Sequence, residues 1–443
     1  MTARRGKGRQ AILLCKVFGI ASVQAEFMLT AARSFLATRW RRGMIRDRAS
    51  LKRYQIRQLA ALQRHLDAHI PFYSGVRRRP FEQWPILSKT EMVERFAEMN
   101  VAGIDASAIR HALAGGAERV GGFVVGQSTG TSGNRGYYLI SEAERFVWLG
   151  VILAKALPDA LLRRHRVALA LPGLSSLYRS ATHGSRIALG FFDLARGIDE
   201  WADDLVRFDP DTIVAPPKVL RWLAEHRMLN AETIFSGAEV LDPLDRAVIE
   251  TATGRIVREI YMATEGLFGV SCPKGVLHLA EDVVFFEWER AGADSRLVSP
   301  IVTDFTRRSQ ALVRYRMNDL LDLSETDCSC GSPYQPLRAI EGRLDDVFQL
   351  VDSRGLVRMV TPDVMRNAVV DAHPAIQDYR IEQTSPSSLR VCLEVAAPAE
   401  ADDLVRSRLE LRFAGMGLGP DIEIVRGIEP CFDRKLRRVR RLA

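Results

Sequence analysis

The stretch GQSTGTSGNRG, Gly126 to Gly136, decides how the rest of the chain is read. It follows the apolar run Phe123-Val124-Val125 and precedes Tyr137-Tyr138-Leu139-Ile140, so strand, hydroxyl-rich loop, strand is the local expectation. Its glycines let backbone approach an anion, and its amides and hydroxyls from Ser128 through Gly133 offer donors to phosphate oxygens. It is not a Walker loop, because Asn134 and Arg135 stand where Lys and Ser/Thr would be needed. On composition alone a plain polar hairpin fits equally well.

Outward from that loop, the pattern alternates strand and helix. Arg166–Leu171 reads as a strand ended by Pro172-Gly173. Asp211–Ala215 with Pro216–Arg227, and Thr233–Phe235 with Pro243–Thr251, repeat the unit, and Ile256–Tyr261 adds a strand. This predicts an α/β domain whose sheets are covered by helices. From about Gly275 the chain turns strand-rich, with Val283–Trp288, Ser299–Thr303 and Ala311–Tyr315. The last hundred residues predict a smaller α+β piece beyond a polar boundary at residues 341–346. Upstream, residues 26–70 read as helical, and Lys89–Met99 as a further helical run.

With 443 residues, 47% apolar and 26% charged, the chain is a globular protein of more than one domain. Its net charge of +8 is uneven: residues 1–79 hold 18 Lys and Arg against three acids. Such an end suits an anionic lipid surface, nucleic acid or an acidic partner, or is simply a solvated helical face. Few aromatics interleave with the charge, which argues against nucleic acid. Val23-Gln24-Ala25 resembles a signal-peptide cleavage site, but Lys16 interrupts the apolar run before it. The expectation is a cytoplasmic protein with at most peripheral membrane contact.

Five further signals follow in order: Ser236-Gly237-Ala238-Glu239, Tyr261-Met262-Ala263-Thr264-Glu265-Gly266, Tyr315-Arg316-Met317-Asn318-Asp319, Gly342-Arg343-Leu344-Asp345-Asp346, and Lys435 in CFDRKLRRVRR. Each is weak alone: Glu265 reads equally as a surface carboxylate, Asp319 as a turn former and Lys435 as part of a basic tail. Together with the loop they resemble the adenylate-forming (acyl/aryl-CoA ligase, AMP-binding) superfamily, in detail the phenylacetate–CoA ligase branch. The resemblance spans residues 45–440. It implies a large multi-sheet α/β N-terminal domain to Gly342, preceded by a basic extension over residues 1–45. A small mobile α+β C-terminal domain follows from residue 347.

The resemblance also implies ATP- and Mg²⁺-dependent activation of a small aromatic or medium acyl acid, with transfer to coenzyme A. Loading of the phosphopantetheine arm of an acyl carrier protein is the alternative, and a catalytically lapsed binding module the rival of another class. A homodimer is compatible with the family. Ser128, Thr129, Gly130, Thr131, Ser132 and Gly133 would cradle the β- and γ-phosphates. Gly237, Ala238 and Glu239 would lie along the adenine and Tyr261 on its face. Thr264 would meet the α-phosphate, Glu265 would hold Mg²⁺, and Asp319 and Arg343 would serve the ribose. Asp345 would be the hinge, and Lys435 would bridge carboxylate and phosphate during adenylation. The chain departs from the family at Asn134, where Lys is usual, and at Met262, where Gly is usual. After Asp346 it runs VFQLVDSRGLVRMVTPD in place of the glycine-bearing loop that lines the CoA tunnel in the family.

Among six cysteines, Cys272 and His278 in one loop and Cys328 and Cys330 in another form a candidate Cys₃His zinc set, or else four unrelated reduced side chains. Cys15, Cys392 and Cys431 stand singly, and no G-x-S-x-G elbow supports a serine nucleophile.

Overall fold

The computed structural model of the chain describes residues 22–128, 136–171, 186–292, 295–428 and 435–442. Thr129, Gly130, Thr131, Ser132 and Gly133 therefore lie outside the described residues. Among the described residues, twelve strands form one sheet. Ile187–Asp193, His165–Leu171, Thr212–Ala215, Thr233–Gly237 and Val257–Ala263 lie side by side in that order, all parallel. The strand Gly266–Ser271 then reverses direction. Leu277–Leu279, Pro336–Arg343, Asp319–Leu323, Val298–Asp304 and Val284–Arg290 continue antiparallel. The switch falls at the turn carrying Thr264 and Glu265. A separate three-stranded sheet holds Phe123–Gln127 and Tyr137–Ile140, the two sides of the hydroxyl-rich loop.

Local chemistry sets the helices. Helix Pro243–Thr253 starts on the Asp242 side-chain cap with Pro243 at its first position, and stops at Gly254, whose φ of 65° is left-handed. Helix Glu142–Ala156 opens on a capping box between Ser141 and Glu144. The expected single helix over 26–70 is two, Ser22–Met44 and Arg48–His69, because Asp47 and Ser50 build a capping box that restarts the chain. The first packs Ala31 and Phe35 inward, stacks Phe27 on Phe146, and leaves Leu36, Trp40 and Met44 exposed. Both helices are pinned by carboxylates from the 281–282 segment. Arg41 and Lys155 reach fully buried Asp282, and Arg48 reaches Glu281 at 2.6 Å. Burial alone would raise the Asp282 pKa, but the two cations hold it below the ordinary aspartate value.

Lys89–Met99 is a short α-helix, Lys89–Glu94, followed by a 3₁₀ turn. Ala311–Tyr315 is not a strand. Only Tyr315–Arg316 pairs, because Arg314 takes a φ of 46° that turns its guanidinium onto Glu287 and the carbonyls of Glu82 and Trp84. The alternation of apolar residues there reflects burial in a loop. Beyond Asp346, a two-stranded ribbon (Phe348–Val351, Val357–Val360) and a four-stranded sheet share their own core, with Tyr379, Phe413, Val391 and Leu409 fully enclosed. No helix among the described residues is long and apolar enough to cross a membrane.

Candidate functional site

Three turns at the ends of neighbouring strands, and one segment from the C-terminal sheet, bring the expected residues together. The Val257–Ala263 and Gly266–Ser271 strands are joined by a two-residue turn, Thr264-Glu265, with Ala263 opposite Gly266. Tyr261 precedes it on the same strand. Its hydroxyl donates to Asp319 Oδ2 at 2.7 Å. Burial, then the Asp319 charge, pushes the phenol well above its ordinary pKa, so it stays a donor. Burial likewise raises Asp319, while the Tyr261 hydrogen bond, Arg343 and Lys435 oppose the rise.

Asp319 and Arg343 are cross-strand partners in register, with Arg343 Nε 4.0 Å from Asp319 Oδ1. Immediately beyond, residues 344–346 form one 3₁₀ turn, and Asp345 accepts a 2.6 Å hydrogen bond from the Asn318 amide. The Leu344 amide also donates to the Asn318 carbonyl. The strand end that presents Asp319 therefore also grips the segment between the two cores.

Gly237 ends its parallel strand, and Ala238 takes a left-handed φ of 67°, a conformation costly for a residue with a Cβ. Glu239 then points inward. Its Oε1 pairs with Lys218 at 3.2 Å, while Oε2, like Ser236 Oγ, is buried without a hydrogen-bond partner among the described residues. Burial raises the Glu239 pKa against the pull of Lys218.

Lys435 arrives from the C-terminal segment. The residue is exposed, and its ammonium lies within electrostatic reach of Arg343, Glu239, Asp319 and Glu265. Desolvation in that cleft, then Arg343, lowers its pKa, and the three carboxylates partly restore it. Glu265 Oε1 accepts from the Tyr315 hydroxyl at 3.2 Å. Ser128 closes the neck of the loop: its amide donates to the Gly136 carbonyl at 2.8 Å and its Oγ accepts from the Gly136 amide at 2.9 Å.

The sequence reading missed Lys218 and Tyr315 as partners of Glu239 and Glu265. It also missed the role of the arginines after Lys435. Arg437 pairs with Asp346 and Arg440 with Glu382. Arg438 is 8% exposed, bidentate on Asp245 at 2.6 and 2.9 Å and 2.8 Å from Asp378. Opposite-charge counting along the whole chain, not a run of like charge, would have been the signal.

The Cys/His set also converges. The four ligand atoms of Cys272, His278, Cys328 and Cys330 lie within 4.8 Å of one another. Cys272 and Cys328 sulfurs are 3.9 Å apart, and Cys330 Sγ is 3.4 Å from His278 Nε2. A tetrahedral zinc with bonds of about 2.3 Å to sulfur sets two sulfurs roughly 3.8 Å apart, so the donor set fits that ion. His278 Nδ1 sits 3.0 Å from the Tyr334 carbonyl, which turns Nε2 toward the thiols.

No protein-family model matches the chain, and no curated protein does. Solved structures do. 2-Hydroxyisobutyryl-CoA ligase in the postadenylation state, complexed with R3-HIB-AMP, superposes with a TM-score of 0.64 at 20% identity over 89% of each chain. Its complex with 2-HIB-AMP in the same state gives 0.63 at 20% identity, again over 89% of each chain. An open conformation of that enzyme with 2-HIB-AMP and CoA gives 0.55 at 19% identity, covering 89% of this chain and 92% of the other. The chain thus shares the fold of that 2-hydroxyisobutyryl-CoA ligase over most of its length.

Proposed function

We propose that the chain activates a carboxylic acid with ATP as an acyl adenylate and passes the acyl group to a thiol, that of coenzyme A. The observation that carries this is convergence: Glu239, Tyr261, Glu265, Asp319, Arg343 and Lys435 come from separate segments into contact or electrostatic reach of one another. Ser236 Oγ, buried without a hydrogen-bond partner among the described residues, is a partner for a nucleotide base. 2-Hydroxyisobutyryl-CoA ligase, whose fold the chain shares, is described with an acyl-AMP and with CoA.

In the first half-reaction a carboxylate oxygen attacks the α-phosphorus of ATP. The bond from that phosphorus to the bridging oxygen breaks, and pyrophosphate leaves with the electron pair. In the second, a thiolate attacks the acyl carbon and AMP leaves. The protein's work is placement and charge. Tyr261 offers a face to the adenine, while Asp319 and Arg343 hold the ribose, the acceptor-only carboxylate taking hydroxyl donors. Thr264 meets the α-phosphate, beside the Ser128 neck. Lys435 neutralises carboxylate and phosphate together as a compact charge, and the turn at Asp345 is the swivel that withdraws it afterwards. Mg²⁺, for which Glu265 is a hard-oxygen ligand, would supply charge neutralisation on the phosphates.

The acid is a small aromatic or medium acyl one, of the phenylacetate type. Acid-dependent exchange of labelled pyrophosphate into ATP, run over benzoates, phenylacetates and fatty acids, is expected to respond to one class. A folded protein giving no exchange with any of them refutes adenylation of these acids. Thioester formed with free coenzyme A supports that acceptor; thioester formed only on a carrier-protein arm replaces it.

The Cys272–His278–Cys328–Cys330 set is proposed to hold one structural zinc, tying two loops together. Elemental analysis of purified protein should give about one zinc per chain. Cys328→Ser should lose it and melt at lower temperature. Metal-free protein with an unchanged melting point disproves the assignment.

A further inference from the structure

The turn that carries Thr264 and Glu265 opens onto a cavity that also receives Lys89, Arg307, Gly136 and Tyr315. Neither cation belongs to any motif of the sequence. Lys89 lies at the start of its short helix, with Nζ 3.5 Å from Ser128 Oγ at the neck of the hydroxyl-rich loop. Its Cε runs so close to Gly136 that an added Cβ there would sit 3.2 Å away. Arg307 also lines the cavity; its charge reaches buried Asp304, but its Nε is buried with no hydrogen-bond partner among the described residues. A buried donor left unmet is costly, so an acceptor entering the cavity that Arg307 lines would offset that cost.

The turn holding Arg307 is braced from both sides. Asp304 Oδ1 accepts from the amide and hydroxyl of Thr306, each at 2.6 Å. Glu144 Oε1 accepts from the amides of Arg308 and Ser309, at 2.5 and 2.7 Å. Glu144 also receives the Ser309 hydroxyl, and the Gln310 side chain accepts from the Leu139 amide at 3.0 Å. Buried Asp304, partly buried Glu144 and the buried Gln310 amide thus fix the residues on either side of Arg307. This is the support a preorganised charge needs and a solvated surface arginine lacks.

From this geometry we propose that Lys89 and Arg307 form the seat of the pyrophosphate leaving group. Together they replace the charge that Asn134 does not provide within the loop. The inference rests on the adenylation reading and deepens it. As the α-phosphorus bond to the bridging oxygen breaks, negative charge grows on the departing pyrophosphate. Lys89 meets it as a point charge and Arg307 as a planar fork of donors. Thr264 and Glu265 line the same cavity, and the proposal assigns the two cations to the β,γ-end and not to AMP.

The test is equilibrium binding of ATP, AMP and inorganic pyrophosphate, with Mg²⁺, to the full chain and to Arg307→Met, Lys89→Met and Arg307→Lys. Either methionine variant should weaken ATP and pyrophosphate by about tenfold to a hundredfold and leave AMP unchanged. Arg307→Lys should recover part of the loss. The two methionine changes sit on different elements, so one answers if the other fails to fold. Equal losses for ATP and AMP, or an unchanged ATP affinity, overturn the assignment while leaving adenylation standing. A wild-type chain that binds neither AMP nor ATP removes the adenylation reading, and this seat with it.

Discussion

Lys435→Ala is expected to lower acid-dependent pyrophosphate exchange by about a hundredfold to a thousandfold, the scale seen when one preorganised charge donor is removed from a transition state. Thioester formation from a supplied acyl adenylate should stay within a few-fold of wild type, since no phosphate charge then needs neutralising at the α-phosphorus. The split between half-reactions is what a merely structural lysine would not give. The ionisation of the same side chain supplies a second readout. Desolvation and Arg343 hold its pKa below the ordinary lysine value of 10.5. The ammonium is the working form, so activity should fall as pH rises, and the fall should begin at lower pH than for an exposed lysine. The limb belongs in kcat/KM, which reports the free enzyme. Lys435→Arg, which cannot deprotonate in that range, should abolish the limb. An alkaline limb that survives in the arginine variant assigns it to another group.

Arg438→Ala is expected to cost about 3–5 kcal/mol, the penalty for leaving a buried carboxylate without its partner. Asp242 and Asp245 belong to the helix start beside the large sheet, Asp378 and Tyr379 to the C-terminal sheet, and Arg438 is buried between them. Burial would lower its pKa, but the surrounding aspartates raise it well above the ordinary arginine value. The Tyr379 hydroxyl adds a 2.9 Å hydrogen bond to Asp242, and Arg221 reaches both Asp245 and the Gln377 carbonyl. Lys435 is three residues upstream in the same segment, so loosening this joint should also lower exchange. Thermal unfolding and exchange measured on Arg438→Met, Asp245→Asn and the double variant form a cycle. The double variant should recover stability relative to Arg438→Met. A single variant that melts with wild type, or strict additivity, would show that the joint contributes nothing.

The parts of the site that sequence made legible are those where one strand end dictates the chemistry. Tyr261 through Gly266 stand out in the sequence only as a motif, and the returning strand Gly266–Ser271 that makes Thr264-Glu265 a two-residue turn emerges with the fold. Pro243 marks its helix start for reasons of φ, while the end lies at Thr253, two residues beyond the expected Thr251, where Gly254 turns left-handed. The Cys and His residues, spread along the chain from Cys272 to Cys330, group by residue type before the fold brings them together. What stayed hidden depends on distant pairing. Arg437, Arg438 and Arg440 read as a solvated tail because their carboxylates lie tens to hundreds of residues away. Lys89 and Arg307 were invisible because nothing local distinguishes them from other basic residues. The loop at Ala311–Tyr315 was taken for a strand because a fully buried loop and a half-buried strand both present runs of apolar residues. The single Arg314 φ that separates them is not encoded by a glycine.

Asp282 has no exposed side-chain surface, and its partners Arg41 and Lys155 are 19% and 13% exposed. Mobile ions screen charges they can approach, over about 8 Å at physiological ionic strength, and enclosed pairs hardly at all. The basic N-terminal region therefore divides into two populations. Its outward arginines, such as Arg33 and Arg39, answer to salt, whereas Arg41 is fastened from within. Raising ionic strength strips whatever those outer charges attract and leaves the helices seated where they are.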